Sequence, residues 1–195
     1  MAVFSQGKVS LQMDGGSLIT LGPPVWVLAA DEAVAGQPVS TTGPLPSGIV
    51  LEVGLYAGTS STLLTLQTDV LLNPPGGTGL PAGAYPATHV ILTGIPGGSL
   101  AYFQVWVWNS AYPSPAASFA GDSYAASDNI FTMTPGSSIG FPGINNGGNT
   151  TWAAVGNESP FILAGPEPSA FALGLLGAAA LAIFRRCKSA GALRT

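Results

Sequence analysis

Along most of this chain, polar and apolar residues alternate in short runs, and clusters of Gly and Pro cut the runs apart. Period-two alternation over four to eight residues between such breaks is the signature of a half-buried strand. The pattern predicts strands over 3–13, 25–30, 49–57, 62–67, 88–93, 100–109, 130–134 and 150–155. Turn chemistry lies between them: GPP at 22–24, TTGPLPSG at 41–48, NPPGG at 73–77, IPGG at 95–98, YPSP at 112–115, TPGSS at 134–138 and INNGG at 144–148. Pro removes a backbone donor and Gly opens left-handed conformations, so these runs stop strands and turn the chain. The loops around 73–86 and 134–148 are long for hairpins and are expected to be mobile.

Two runs say most about the core. In 49–57, Ile49, Leu51, Val53 and Leu55 share one face, with Glu52, Gly54 and Tyr56 on the other. That is a strand with one buried side. In 100–109, Phe103, Val105 and Val107 lie opposite Tyr102, Gln104, Trp106 and Trp108. Both faces are apolar, which predicts a central strand. No stretch before residue 160 has a helical period. The expected fold class is all-β: an antiparallel β-sandwich, Ig-like or jelly-roll-like, followed by one C-terminal transmembrane helix. A small barrel is the alternative for the body. The expected organisation is a body over 1–160, a linker over 161–168, a membrane helix over 169–184 and a basic cytoplasmic tail over 185–195.

Composition narrows this reading. Charged residues make up only 7 % of the chain, and 27 Gly with 17 Pro supply roughly a quarter of it. Disordered chains lack aromatic and β-branched residues, whereas this one has 4 Trp, 8 Phe and 5 Tyr. Lys8 is the one Lys or Arg ahead of Arg185, against nine acidic residues, so the chain up to that point carries a formal charge near −8. Such a body offers no electrostatic footprint for nucleic acid. The single Cys187 excludes an intramolecular disulfide and a Cys-built metal site.

Candidate chemistry in the body is sparse. His89 has no second His and no carboxylate near it in sequence, and no Gly-x-Ser-x-Gly elbow accompanies it. A structural or surface role is expected. No two carboxylates stand out as the spaced pair that glycoside hydrolysis needs. Asp122, Asp128 and Asn129 put oxygen ligands in one loop, yet without the ligand density of a calcium loop. Trp106 and Trp108, with Tyr102, make either a flat sugar-stacking platform or, as favoured here, ordinary core. Solvent exposure of the two Trp residues separates these readings. Asn149 and Asn157 begin N-x-Ser/Thr acceptor patterns. No residue is assigned as catalytic, cofactor-binding or metal-ligating, and no enzymatic activity or cofactor is expected.

The carboxyl end differs in kind. Pro166-Glu167-Pro168 leads into residues 169–184, sixteen residues without a charge, and Arg185, Arg186 and Lys188 follow at once. As a helix the run spans about 24 Å at roughly 1.5 Å per residue, just short of a bilayer core of about 30 Å. Pro168 suits a first helical turn, and Glu167 and the arginines suit the two ends of the helix dipole. Basic residues crowded against one end act as a membrane stop and set the orientation, with the tail in the cytoplasm and the body outside.

Triplet, apolar run and basic stop, in this order and at this end, resemble the PEP-CTERM protein-sorting signal of Gram-negative bacteria. The resemblance covers about thirty residues. It implies export, a single-pass hold in the inner membrane, and recognition at Pro166, Glu167 and Pro168 by an exosortase, an integral membrane protease. Processing would release the body to the cell surface or extracellular matrix, where such proteins are often associated with exopolysaccharide and biofilm. The bodies vary, so the signal leaves the body's role open between a structural or adhesive protein, a binding module for matrix polysaccharide, and a secreted hydrolase of unrecognised type. The resemblance also implies an amino-terminal export signal. The opening MAVFSQGKVSLQMDGG has no basic and apolar leader, so the true start is expected upstream or the gene is expected to be truncated. An in-frame apolar segment in the upstream DNA is the check.

Overall fold

The computed structural model of the chain describes residues 5–13, 18–144 and 161–163. In chain order these form β1 (Gln6–Leu11), β2 (Ile19–Leu21), β3 (Leu51–Gly58), β4 (Thr65–Leu71), β5 (Thr88–Pro96), β6 (Ala101–Asn109), helix α1 (Pro115–Ala120), β7 (Ala125–Ser127), β8 (Phe131–Met133) and β9 (Phe161–Leu163). The described chain is therefore mostly β, as expected. Its ladders are antiparallel except for the pairing of β2 with β9, which is parallel.

The largest sheet runs β4-β3-β6, and both β7 and β8 pair with the far edge of β6. A second sheet pairs β1 with β5, and a third pairs β2 with β9. The alternation in β3 and β6 explains why they lie at the centre. Leu51, Val53, Leu55 and Ala57 of β3 are fully buried, as are Ala101, Phe103, Val105 and Val107 of β6. They share one apolar cluster with Val9 and Leu11 of β1 and with Val90, Leu92 and Ile95 of β5. Burying one such aliphatic or aromatic side chain is worth roughly 1.5–3 kcal/mol relative to leaving it exposed. The cluster therefore dominates any other stabilising contribution in this weakly charged chain.

The edge of β6 is split. β7 covers Trp106–Trp108 and β8 covers Ala101–Phe103. Asp128 fills the break: its Oδ1 accepts the Val105 N–H at 2.8 Å, and its own N–H donates to the Val105 carbonyl at 3.1 Å. The side chain thus replaces a missing ladder partner, which is the role that the loop carboxylate at 128 plays here.

The opposite face of β6 is less uniform. Tyr102, Gln104 and Trp106 are half-buried, while Trp108 is buried. Gly54 makes room for it. A Cβ at Gly54 would stand 2.6 Å from Cη2 and Cζ3 of the Trp108 ring. The indole lies against bare backbone, and its Nε1–H donates to the Tyr112 carbonyl at 3.1 Å.

A buried carboxylate ties the outer segments down. Asp31 is fully buried; its Oδ1 accepts the Ser47 N–H and its Oδ2 accepts the Tyr124 hydroxyl, each at 2.8 Å. The Tyr124 oxygen in turn accepts the Leu28 N–H at 2.9 Å. Burial, together with Asp31, holds the Tyr124 hydroxyl firmly protonated.

Several expectations are corrected. Residues 25–30 are not a strand. Pro23 and Pro24 start a 3₁₀ turn at Pro24–Trp26, and a second follows at Ala29–Val34. Val25 stands 71 % exposed there, while its neighbours in sequence Val27 and Leu28 both pack against the core, so burial does not follow a strand's alternation. The YPSP run does not only break structure. Ser114 caps α1 by accepting the Ala117 N–H at 3.2 Å, and Pro115 occupies its first turn, where the lost N–H costs nothing. The short strands β2, β7 and β9 were not expected; three residues are too few for an alternation to register. The predicted strand over 150–155 and the helix over 169–184 lie outside the described residues.

Two outcomes follow from this packing. Gly54→Ala overpacks the Trp108 contact and is expected to cost about 1–3 kcal/mol, read from urea unfolding alongside a shift in Trp emission; unchanged stability would refute the contact. Tyr124→Phe removes one partner of a buried carboxylate and is expected to cost about 1–3 kcal/mol, read from the same unfolding curve.

Candidate functional site

The half-buried face of β3 and β6 opens into a groove of about 740 Å³. This is within the roughly 300–1,000 Å³ of small-ligand sites. The sheet contributes Tyr56, Gln104 and Trp106, and α1 contributes Pro115, Ala116 and Phe119, with its cap Ser114 beside them. The turn between β3 and β4 adds Ser61, Thr62 and Leu64, and Ala125 and Ile130 complete the lining. The groove is therefore mostly apolar, with hydroxyl and amide groups among the rings.

Its aromatic groups are held differently. The Trp106 Nε1–H donates to Gln104 Oε1 at 3.0 Å. Gln104 Nε2 donates in turn to Ser127 Oγ at 3.2 Å and to the Asp128 carbonyl at 3.0 Å. The indole is thus oriented through a chain of hydrogen bonds anchored on the β7 side. Phe119 is 72 % exposed. Its helix is fixed from beneath by buried Ser118, whose Oγ donates to the Tyr124 carbonyl at 2.6 Å. An apolar ring is left facing water on a pinned helix.

An acidic pair adjoins this groove. Glu52 lies opposite Leu71 and Trp108, and Asp69 lies opposite Gly54, whose other neighbour is Trp106. Glu52 and Asp69 are therefore diagonal neighbours on adjacent strands, within side-chain reach. The Glu52 carboxyl is pushed up to about 7, first by burial, then by its hydrogen bond with Asp69 and by the charge of Asp69. Below that pH Glu52 holds the proton that it shares with Asp69 through that hydrogen bond. The Tyr56 hydroxyl is also pushed up, by burial and then by the charges of Asp69 and Glu52. The pair's field therefore reaches a group that lines the groove. Neither carboxylate lines the groove itself. Hydrogen-bonded carboxyls also stand closer than the about 5 Å or more at which glycosidase pairs flank a bond.

The residues singled out in the sequence fall apart spatially. His89 is on β5, in the other sheet, and its ring stacks on Phe141 at 4.5 Å and 6°. The Lys8 ammonium lies 5.6 Å from the same Phe141 ring. Of the Trp pair, Trp108 is buried and so is core, while Trp106 opens onto the groove. Asp122 sits in the turn after α1 with φ of 52°. Pro166, Glu167, Pro168, Arg185, Arg186 and Lys188, with Asn149, Asn157 and Cys187, lie outside the described residues. Among the described residues no three His, Cys, Asp or Glu side chains gather as a metal site, and no helix is long and apolar enough to cross a membrane. Sequence reasoning missed Tyr56, Phe119 and the Glu52–Asp69 pair. The outward parity of Glu52 and Tyr56 in the 49–57 run was the available signal. No protein-family model, curated protein or solved structure matches this chain.

The shared proton sets a pH dependence of stability. The Glu52 carboxyl has an unfolded value of 4.5 and a folded value of about 7. Between these the folded state holds the extra proton, so stability falls as pH rises through the window. The contribution is fully present below 4.5 and lost by about 7. Glu52→Gln is expected to remove this slope, measured as the variant-minus-parent difference in unfolding free energy against pH. A difference that stays flat across the window would refute the shared proton.

Proposed function

We propose that this chain is an exported cell-envelope or extracellular-matrix protein, held briefly in the inner membrane by its carboxyl-terminal signal and then processed by an exosortase. The observation that carries this reading is the tripartite tail: Pro166-Glu167-Pro168, the uncharged run over 169–184, and the stop formed by Arg185, Arg186 and Lys188. The run is marginally short for a bilayer, which suits a temporary hold. The body is proposed to be a β-sandwich, with the β1–β5 sheet facing the inner side of β3 and β6 across their common apolar cluster. Its role is structural or adhesive rather than catalytic, at the cell surface or beyond it after processing.

A second reading is favoured by one feature of the body. Trp106 and Tyr56 present aromatic surface in a groove that also carries Ser, Thr and Gln side chains. Sugar rings stack on aromatic faces and hydrogen-bond to such groups, so this reading makes the body a binding module for exopolysaccharide of a biofilm matrix. The adhesive role then acts through the groove.

Mass spectrometry of the mature protein from its native host tests the sorting. Loss of everything beyond about Pro166 is the expected result. A carboxyl terminus intact to Thr195 in protein resident in the inner membrane would reduce the tail to a plain anchor.

A further inference from the structure

Charge discriminates among the ligands that an aromatic, hydroxyl-bearing groove can take. Asp69, Gly54 and Trp106 form one row across β4, β3 and β6, and Glu52 and Trp108 belong to the next. Glu52 is therefore on the strand next to the indole that faces the groove, and Asp69 is one strand further, on β4, with the Trp108 ring over the intervening Gly54. Among the described residues the one Lys or Arg is Lys8, and it lies on β1 against Phe141. An anionic ligand beside this face meets like charge. A cationic group meets both the carboxyl pair and the electron-rich faces of Trp106 and Tyr56, an arrangement that attracts ammonium groups.

We infer that the groove takes an oligosaccharide of cationic amino sugars, its rings stacked on Trp106 and its ammonium groups directed toward Glu52 and Asp69. The inference rests on the glycan-binding reading above and adds the charge class of the ligand. It excludes uronic-acid polymers and places neutral glycans second. The hydroxyls of Ser61 and Thr62 and the amide of Gln104 meet the ring hydroxyls, which all three glycan classes share. The acidic pair is what separates them.

The test titrates the full chain in neutral detergent micelles with three hexasaccharides, by calorimetry and Trp emission. One is a glucosamine oligomer made permanently cationic by N-trimethylation, one its neutral N-acetylated counterpart, and one an anionic galacturonic acid oligomer. The expected result is cationic binding at least about tenfold tighter than neutral, and none for the anionic chain. Asp69→Asn, and separately Glu52→Gln, should shrink the cationic preference while leaving neutral binding in place; Trp106→Ala should weaken both. Equal binding of cationic and neutral oligomers, or any preference for the anionic one, overturns the charge inference but leaves the groove a glycan site. No binding of any oligomer overturns both readings. If self-association lost on Phe119→Ser accompanies that result, the groove belongs to a second copy of the chain.

Discussion

Val53, Leu55, Val105 and Val107 occupy paired positions on β3 and β6, and water reaches none of them. The rest of the body is arranged around this row. With 7 % of its residues charged, the chain has few ion pairs to draw on and depends on apolar burial and complete backbone pairing. Where pairing fails, a side chain supplies it. Asp128 completes the edge of β6 between β7 and β8. Asn73, fully buried, accepts the Leu51 N–H at 2.6 Å and donates to the Ile49 carbonyl at 3.3 Å where β3 begins. Asp128 and Asn73 thus stand in for missing ladder partners, one at the edge of β6 and one at the start of β3.

The outer face of the same two strands has a different task. Trp108 seals one part of it against the bare backbone of Gly54, while Trp106, two residues away on the same side, opens onto the groove. A single strand thus supplies core on one side and both a seal and a groove wall on the other. The Glu52 carboxyl beside the seal keeps its proton up to about 7, because burial, the hydrogen bond with Asp69 and the charge of Asp69 penalise its ionisation. Aromatic, apolar and acidic groups thus share this one face.

The strands carrying the core were legible because alternation directly encodes a half-buried face: 49–57 became β3 and 100–109 became β6 with their sides as read. The run over 62–67 pointed to β4 but stopped short of Asp69, and a register shift between Leu55 and Tyr56 changes which β4 residues meet β3. Local pattern carries no information on such a bulge, so the acidic pair could not be placed. Residues 25–30 misled because two prolines overrode the alternation. At 112–120 the Pro signal was read as a break when, one position after a capping Ser, it starts a helix. Trp106 and Trp108 share a sequence environment and differ only in what tertiary packing lays over them.

The parallel pairing of β9 with β2 has a mechanical side. Phe161, Ile162 and Leu163 meet Ile19, Thr20 and Leu21 and make the last described attachment along the chain. Tension applied from the carboxyl side of Leu163 reaches this three-residue ladder before it reaches β3 or β6. Three paired residues hold this attachment, against the eight that join β3 to β6. Strain from that side would therefore load β9 before it loads the apolar cluster of β1, β3, β5 and β6.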